Sequence, residues 1–355
     1  MRLEDFNYSL PPDRIAQEPV EPRDSSRLLV MNRAGGGIRH AHFHEIESFF
    51  DPGDLLVFND TRVLPARLFA SKQGTGGRVE ILLLRRREPQ IWEALVGGKR
   101  VRVGTLLQIA AGDGSGSQSK INPLGLKAEV LEDLGESRRL IRFSEPVTPL
   151  LESIGQTPLP PYIHKPLLDS NRYQTVYARA DGSAAAPTAG LHFTPELIAR
   201  LQEQGVQTAF VTLHVGLDTF APITEARVED HVIHAEWISV PEETACAVNR
   251  ARADGRRVIG VGTTSVRTLE SAACQAEERG LDGLQAFVGD TRLYITPGYR
   301  FRAVDAMVTN FHLPRSSLLV MVSAFAGRER ILQTYAEAIR MQYRFYSFGD
   351  AMLIR

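Results

Sequence analysis

The sequence predicts an α/β fold: a main α/β domain with mostly parallel strands, into which a small antiparallel β-barrel domain is inserted. Helical and strand-like segments alternate through the second half of the chain, which is typical of a sheet covered by helices. Between about residues 67 and 145 the pattern changes to short strand-like runs separated by turn-forming residues. Two further strand-like runs, RLLVMNR and DLLVFND, precede this segment, so we expect the barrel to interrupt the α/β domain.

The barrel segment contains the runs RVEILLL, IWEALV, RVRVGTLLQIA, LKAEVLEDL and RRLIRFSE. Turn-formers such as Gly97-Gly98 separate them, and the Gly/Ser-rich stretch 112–125 is expected to be a hairpin tip. We place the barrel at 66–145 and the α/β domain at 1–65 and 146–355. Residues 67–145 hold 14 Lys or Arg against 9 Asp or Glu, although the whole chain has a net charge of −1. This positive excess suits contact with phosphates, but solvated strand faces are also often rich in arginine.

The α/β half carries clear helix boundaries. Thr194 is a capping residue, Pro195 suits a first helical position, and Gly205 is a stop signal. A strand, VQTAFVTLHVG, follows, and the pattern repeats with a helix opened by Pro241, a strand RRVIGVG and a helix over 264–279.

Bulk composition excludes several classes of protein. The chain has 355 residues, of which 43% are hydrophobic, enough for a large core and two domains. Only two cysteines occur, and the first residues lack a basic start followed by an apolar run. The longest apolar stretch, 318–326, is far shorter than the roughly 20 residues of a membrane-spanning helix. We therefore expect a cytoplasmic protein that does not contact a membrane.

Ligands of open α/β sheets bind beyond the carboxyl ends of the strands, so polar residues there are candidates for the site. Three predicted strands are followed by such residues. The strand DLLVF is followed by Asn59, Asp60, Thr61 and Arg62, and the strand TAFVTL by His214 and Gly216. The strand RRVIGV is followed by Thr263, Thr264, Ser265 and Arg267.

The segment Gly260-Val261-Gly262 resembles a turn that brings backbone amides close to an anion. It is not a dinucleotide fingerprint, because Ser265 stands where the third glycine is required. The alternative is a tight strand-to-helix turn with capped ends.

Four histidines, His192, His214, His231 and His234, lie in or beside predicted loops and would titrate near neutral pH. A metal site is the alternative, but no His-Glu-x-x-His or paired-cysteine spacing occurs, so we predict no metal. The segments AAAPTAGLHF and TNFHLP contain small residues, Pro or Gly near a histidine, which favours a tight loop that a ligand can approach. Such loops can also serve only to pack against the sheet.

Several long blocks resemble one known enzyme family. They are LPPDRIAQEPVEPRDSSRLLV, GDLLVFNDTRVLPARL, TPLPPYI, YQTVYA, AAAPTAGLHFT, FVTLHVG, GTTSVRTLES, VTNFHLPRSSLLVMVSAFAG and YRFYSFGDAMLI. In this order they are similar to the S-adenosylmethionine:tRNA ribosyltransferase-isomerases of queuosine biosynthesis, from residue 10 to the end of the chain.

The resemblance implies a specific reaction and architecture. The family transfers and isomerises the ribosyl part of S-adenosylmethionine onto 7-aminomethyl-7-deazaguanine at the wobble position of tRNA with a GUN anticodon. Epoxyqueuosine forms, and adenine and methionine are released. S-adenosylmethionine is consumed as a substrate, so no cofactor is implied. The family's α/β domain with an inserted barrel agrees with the segmentation above, and a monomer is implied.

This chemistry needs a base for the acidic C5′ hydrogen and an acid for the leaving adenine. The proton-transfer candidates, without individual assignment, are His192, His214, His231, His234 and Asp60. Thr263, Thr264, Ser265 and Arg267 are expected to hold the methionine carboxylate. Phe193 and Phe220 are candidates for the adenine or the sulfonium, with a place in the core as the alternative. The other candidate substrate-binding residues are Asn59, Thr61, Arg62, Thr188, Gly190, Gly216, Asn310 and His312.

A wobble base is unpaired in the anticodon loop and can be splayed into a pocket while basic side chains hold the backbone. The candidate RNA-binding residues are Arg85, Arg86, Arg87, Lys99 and Arg100. Two alternatives remain: an RNA-binding module without chemistry, and a different S-adenosylmethionine or sugar-nucleotide enzyme on a similar fold.

Overall fold

The computed structural model describes residues 1–35, 37–111, 120–121, 125–135, 137–167, 169–216 and 223–355. The chain divides into two compact units. The first comprises Met1–Thr61, Pro161–Ala180 and Ala186–Arg355, and the second comprises Arg62–Pro160 and Asp181–Ala185. Most of the Gly/Ser-rich stretch 112–125 lies outside the described residues.

The strands and helices are numbered in chain order. The first strands are β1 (Arg27–Met31), β2 (Arg39–His42), β3 (Leu55–Asn59), β4 (Thr61–Val63), β5 (Arg67–Lys72), β6 (Arg78–Arg86), β7 (Ile91–Gly97), β8 (Leu106–Ala111), β9 (Lys120–Ile121), β10 (Lys127–Gly135) and β11 (Arg138–Phe143). The later strands are β12 (Ala180–Ser183), β13 (Gln207–Leu213), β14 (Glu236–Val240), β15 (Val258–Val261), β16 (Phe287–Thr291), β17 (Ala306–Asn310) and β18 (Ala351–Ile354). The α-helices are α1 (Leu151–Ile154), α2 (Pro195–Glu203), α3 (Glu242–Ala253), α4 (Thr263–Glu278), α5 (Ser317–Ala326) and α6 (Arg328–Arg340).

The first unit is built on a mixed sheet. Across the described residues its nine strands follow the order β16-β14-β13-β3-β15-β17-β18-β1-β2. The four central strands β13, β3, β15 and β17 are parallel to their neighbours in this group. Their carboxyl ends therefore lie along one edge of the sheet, where the sequence places its candidate site.

Side-chain alternation along β3 explains why a continuous apolar run forms the centre of the sheet. All five residues of this strand are buried. Leu55 and Val57 belong to the hydrophobic cluster on one face, whereas Leu56 and Phe58 belong to the cluster on the other. Successive side chains of a strand point to opposite faces, so a strand covered on both sides must be apolar throughout.

Helix boundaries follow the capping signals in the sequence. The Thr194 hydroxyl accepts a hydrogen bond from the amide of Leu197 at the start of α2, with Pro195 in the first position. Gly262 precedes α4 with φ of +88°, a left-handed backbone conformation that favours glycine. The apolar stretch 318–326 forms most of α5 and is largely buried. Within the described residues, none of the helices has the length and apolar character needed to cross a bilayer.

The second unit contains the antiparallel barrel. The strand order is β10-β11-β7-β6-β5-β8, and the pairing of β10 with β8 closes six strands into a barrel, with β9 added to β8. The fold class predicted from the sequence, an α/β domain with an inserted antiparallel barrel, is confirmed. This unit extends beyond the expected 66–145. One reason is that Gln156 pairs with Arg67 through two backbone hydrogen bonds, which ties the following segment to β5.

Candidate functional site

The carboxyl ends of the central strands border a cleft with an empty volume of about 650 Å³. Its lining includes four segments of the first unit: 186–189 ahead of α2, Gly262–Thr264 after β15, Thr309–Leu313 from the end of β17 onward, and Tyr346-Ser347 near the C-terminus. Tyr162, Val215, Ser316 and Leu318 line it as well. Sequence analysis had selected parts of the first three. The cleft thus lies where a sheet of this topology is expected to bind a ligand.

The start of α4 offers hydrogen-bond donors to this cleft. Among the residues that the structure describes, no side chain caps the first turn of this 16-residue helix. The leading backbone amides of a helix have no acceptor within the helix, and the helix dipole adds partial positive charge there. Among the described residues, the Thr264 hydroxyl is buried without a hydrogen-bond partner. Thr263, Thr264 and the glycine before them therefore form a wall suited to an anionic group.

The side chain of Asn310 is held in one orientation by a buried network. Its Nδ2 donates to the backbone oxygen of Tyr346 at 3.2 Å and to Nε2 of His192 at 3.1 Å. Its Oδ1 accepts from the Thr188 hydroxyl at 3.2 Å. Because Nε2 accepts, the ring proton of His192 is on Nδ1, which lies 2.7 Å from the hydroxyl oxygen of Ser26. Asn310 and Thr188 line the cleft, and His192 supports them from behind.

His192 and His312 are both neutral in the folded protein. Each side chain is almost completely buried, and burial lowers the pKa of His192 and of His312 to about 3. For His192 the positive charges of Arg344 and Arg23 lower the pKa further. His312 lines the cleft, and its Nε2 lies 2.8 Å from the Thr309 hydroxyl. Within the described residues its Nδ1 has no hydrogen-bond partner, so a neutral imidazole nitrogen is available beside the cleft.

Two cleft residues, Tyr162 and Tyr346, were missed by sequence analysis. Their rings pack against each other with centroids 4.8 Å apart, and the hydroxyl of Tyr162 lies 2.8 Å from that of Ser347. Tyr346 has φ of +70°, a conformation that is strained for a residue with a side chain and that is often found at functional sites. The only available signal was their place in the blocks TPLPPYI and YRFYSFGDAMLI, because a single sequence does not reveal backbone strain.

The residues directly after β3 are bonded within the protein. Asn59 is fully buried, and its side chain joins the backbone of Leu213 through both its oxygen and its nitrogen. The carboxylate of Asp60 accepts hydrogen bonds from the hydroxyl of Thr212 at 2.7 Å and from Nε of Arg179 at 2.6 Å. These residues fix the relative positions of the ends of β3 and β13.

His214 is half-buried after β13, and its neighbour Val215 lines the cleft. Nδ1 of His214 lies 2.8 Å from the hydroxyl of Thr61, and its ring stacks on Trp237 with centroids 4.9 Å apart. These contacts fix the plane of the imidazole. Gly216, two residues on, donates its amide to Glu236 at 2.9 Å.

Arg267 and Ser265 lie in the first turns of α4 but do not offer free groups. The guanidinium of Arg267 is buried, donates to the carboxylate of Glu236 and to the backbone oxygen of Leu293, and forms an ion pair with Glu236. The Ser265 hydroxyl donates to the backbone oxygen of Val261 at 2.8 Å. Arg267 also lines a second cavity of about 480 Å³, together with His231 and His234. Arg267, His231 and His234 are therefore not part of the wall of the main cleft.

The remaining candidates occupy different places. Phe193 is fully buried against Phe43 and Phe58. This favours the alternative that Phe193 is a core residue and does not contact the substrate. Phe220 lies outside the described residues. Gly190 allows a close approach, because an added Cβ would lie 1.9 Å from the hydroxyl of Tyr177. Arg62 belongs to the second unit, where it is paired with Glu152 and Asp181.

The basic candidates lie on the surface of the second unit. Arg85, Arg86 and Arg87 are exposed at the end of β6, and Lys99 and Arg100 are exposed after β7. Arg87 forms an ion pair with Glu93, so part of its charge is compensated. In the described residues, no group of three or more His, Cys, Asp or Glu side chains is arranged to hold a metal ion.

Comparisons with known proteins cover almost the entire chain. The sequence model of a family described as queuosine biosynthesis protein matches residues 3–354. The chain is 52% identical over 359 residues to the S-adenosylmethionine:tRNA ribosyltransferase-isomerase of Moorella thermoacetica, with 100% of both chains covered. It is also 52% identical over 355 residues to the enzyme of the same name from Thermus thermophilus, with 99% of each covered.

A solved structure is similar as well. The crystal structure of S-adenosylmethionine tRNA ribosyltransferase from Thermotoga maritima has 40% sequence identity and a TM-score of 0.55. The match covers 99% of this chain and 100% of that one.

Proposed function

The chain belongs to the queuosine biosynthesis protein family and is a ribosyltransferase-isomerase, and we propose that the main cleft binds the S-adenosylmethionine that the reaction consumes. The ribosyl group would be transferred to 7-aminomethyl-7-deazaguanine at the wobble position of a tRNA with a GUN anticodon. Epoxyqueuosine would form in the RNA, with release of adenine and methionine. The protein would act as a cytoplasmic monomer.

One observation carries the placement of the substrate: donors converge at the start of α4. The methionine part of S-adenosylmethionine ends in a carboxylate, which suits free backbone amides at a helix start. The unpartnered hydroxyl of Thr264 adds a further donor. Arg267 is not part of this proposal as a carboxylate ligand, because its guanidinium is already paired with Glu236.

The reaction requires proton removal from C5′, which the adjacent sulfonium makes acidic. We assign this step to His214. Its ring is half-buried and held by Thr61 and Trp237, and it directly precedes a residue of the cleft wall. His192 and Asp60 are proposed to position the site, with their polar atoms bonded to Ser26, Asn310 and Arg179. The neutral imidazole of His312 and the amide of Asn310 would contact the substrate.

The tRNA is proposed to contact the barrel through its basic surface. Exposed Arg85, Arg86, Arg87, Lys99 and Arg100 would bind phosphates, and Arg87 is also bonded to Glu93. Phosphate contacts hold a polynucleotide without reading its sequence. Such contacts would leave the wobble base free to enter a pocket, at a small unstacking cost.

Analysis of the small products tests the proposal directly. The protein is incubated with S-adenosylmethionine and tRNA that carries 7-aminomethyl-7-deazaguanine, and the small molecules are separated by chromatography. We expect adenine and methionine in equal amounts. S-adenosylhomocysteine would instead indicate a methyltransferase, and no product at all would indicate an RNA-binding module.

Variants test the assigned base. His214→Gln is expected to slow adenine release by at least about a hundredfold, the usual contribution of a general base. His44→Gln, a change at an exposed histidine, serves as the matched control. Normal adenine release by a folded His214→Gln variant would remove this residue from the mechanism.

A further inference from the structure

The second cavity of the first unit has no part in the substrate placement above. Its empty volume is about 480 Å³, counting the part that is open to solvent, and it lies between the segment before β14, the segment after β16 and the start of α5. Leu318 lines both this cavity and the main cleft, so the two spaces adjoin. The cavity is therefore close enough to take one end of a ligand whose other end lies in the cleft.

The walls of the cavity are mainly apolar. The apolar side chains are Ile233, Leu293, Ile295, Leu318 and Met321. Arg267 and Glu236 also border it, but they form a buried ion pair and neutralise each other. The ion pair adds no net charge, and the aliphatic side chains suit a flat neutral heterocycle.

His231 provides a polar group at the cavity that could transfer a proton to a ligand. Its Nδ1 lies 3.1 Å from a carboxylate oxygen of Glu225, and its ring meets the ring of Tyr294 edge to face. The pKa of Glu225 is lowered, first by its own backbone amide and also by its hydrogen bond to His231, so this carboxylate is charged and accepts from Nδ1. Among the described residues, Nε2 of His231 has no hydrogen-bond partner. Nε2 is therefore available to a ligand in the cavity.

Two nucleobases take part in the reaction, and the cavity fits one of them better. The base of the RNA is attached to a polymer, which requires an open approach, and the main cleft is the more open of the two spaces. The adenine of S-adenosylmethionine belongs to a small molecule and can be enclosed. Resting on the substrate placement proposed above, we propose that this cavity receives adenine and that His231 protonates it as it leaves.

The proton and electron balance of this step is simple. The proton on Nε2 of His231 passes to a ring nitrogen of adenine, N7 or N3, while the C1′–N9 bond breaks. The electron pair of that bond leaves with adenine, and His231 becomes neutral. The pair released at C5′ forms a C4′=C5′ double bond as the C4′–O4′ bond breaks, and the O4′ pair forms a C1′=O4′ carbonyl as adenine leaves. No oxidant or reductant is needed.

The test combines His231→Gln with two analogues of S-adenosylmethionine, in which carbon replaces N7 or N3 of adenine. With the natural substrate, His231→Gln is expected to slow adenine release by at least about a hundredfold. The analogue that lacks the protonated nitrogen is expected to react slowly with the unchanged protein, and His231→Gln should slow it no further. If the variant slows S-adenosylmethionine and both analogues equally, the assignment is overturned.

The pH profile supplies a second measurement. A general acid acts in its protonated form, so the rate is expected to fall on the alkaline side of the profile, and this limb should disappear in His231→Gln. Tyr294, Glu229, His234 and the Glu236–Arg267 pair also border His231 or its neighbours. A limb that persists in His231→Gln belongs to one of these groups and would contradict the role of His231.

Filling the cavity tests the adenine site independently of proton transfer. Ile233→Trp is expected to weaken competitive inhibition by free adenine at least tenfold and to leave inhibition by methionine unchanged, with His44→Gln as the control. Unchanged adenine inhibition would overturn the location. If the unchanged protein releases no adenine and methionine, the proposed function fails; if it does but these variants behave normally, only the present inference fails.

Discussion

The wall of the main cleft and the layer of residues behind it carry similar polar groups but use them differently. In the wall, the hydroxyl of Thr264 and Nδ1 of His312 have no partner among the described residues, and the first turn of α4 has no side-chain cap. Behind it, Asn59, Asp60 and Arg267 direct their polar atoms to other parts of the protein. Residue type and position after a strand therefore do not distinguish a ligand-binding group from a structural one; the satisfaction of its hydrogen bonds does.

The largest expected effect is on stability, and it comes from the rear layer. Arg267→Met leaves the Glu236 carboxylate buried without its counter-charge, which costs about 3–5 kcal/mol for pairs of this kind. Denaturant unfolding measures the loss. Arg250→Met, at an exposed position of α3, is the control and should change stability by less than about 0.5 kcal/mol. A small loss in Arg267→Met would place Arg267 with the ligand-binding wall instead.

The second prediction concerns acid stability and the two buried histidines. The folded-state pKa of each, His192 and His312, is about 3, below the unfolded value near 6.5. The unfolded chain therefore binds more protons between these values, so stability falls as pH decreases below about 6.5. At pH 5 the loss is about 2 kcal/mol for each histidine, at about 1.4 kcal/mol per pH unit.

Unfolding curves at several pH values check this loss, and His192→Phe separates the two histidines. The variant keeps a ring against Phe43 and should show about half of the acid slope below pH 6.5. An unchanged slope would mean that His192 titrates in the folded protein and is free to transfer protons.

The third prediction compares two neighbouring hydroxyls of α4. Thr264→Val removes a hydroxyl without a partner in the protein, so the KM for S-adenosylmethionine should rise about five- to tenfold without loss of stability. Ser265→Ala removes the bond to Val261 and should cost about 1 kcal/mol of stability with an unchanged KM. The opposite pattern would show that the carboxylate does not lie at this helix start.

The smallest effect per residue is expected in the barrel. Replacing Arg85, Arg86 and Arg87 together by alanine should weaken binding of all substrate RNAs to a similar extent. Each phosphate contact that is lost should reduce the salt slope of binding by about 1, so the triple variant should lower this slope by about 3 or less. Arg250→Ala is the matched control on the first unit. Equal affinity and an equal salt slope in the triple variant would exclude this surface from RNA binding.

Much of the architecture could be predicted from the sequence, because it depends on local patterns. Apolar runs predicted β1 and β3, capping residues predicted α2, and short alternating runs predicted the barrel. The edge of the sheet that carries the candidate site could also be predicted, since strands joined by helices are parallel and their carboxyl ends meet. The resemblance of long blocks to one enzyme family supplied the activity.

The sequence by itself determined the fold class, the family and the loops that border the cleft, because periodicity, caps and motif order are properties of neighbouring residues. Only the tertiary structure decided which polar groups remain available. The pairing of Arg267 with Glu236 joins residues 31 positions apart, and the bond of His192 to Asn310 joins residues 118 apart. Hydrogen bonds across such separations depend on how strands and loops meet in space, and no local pattern encodes them.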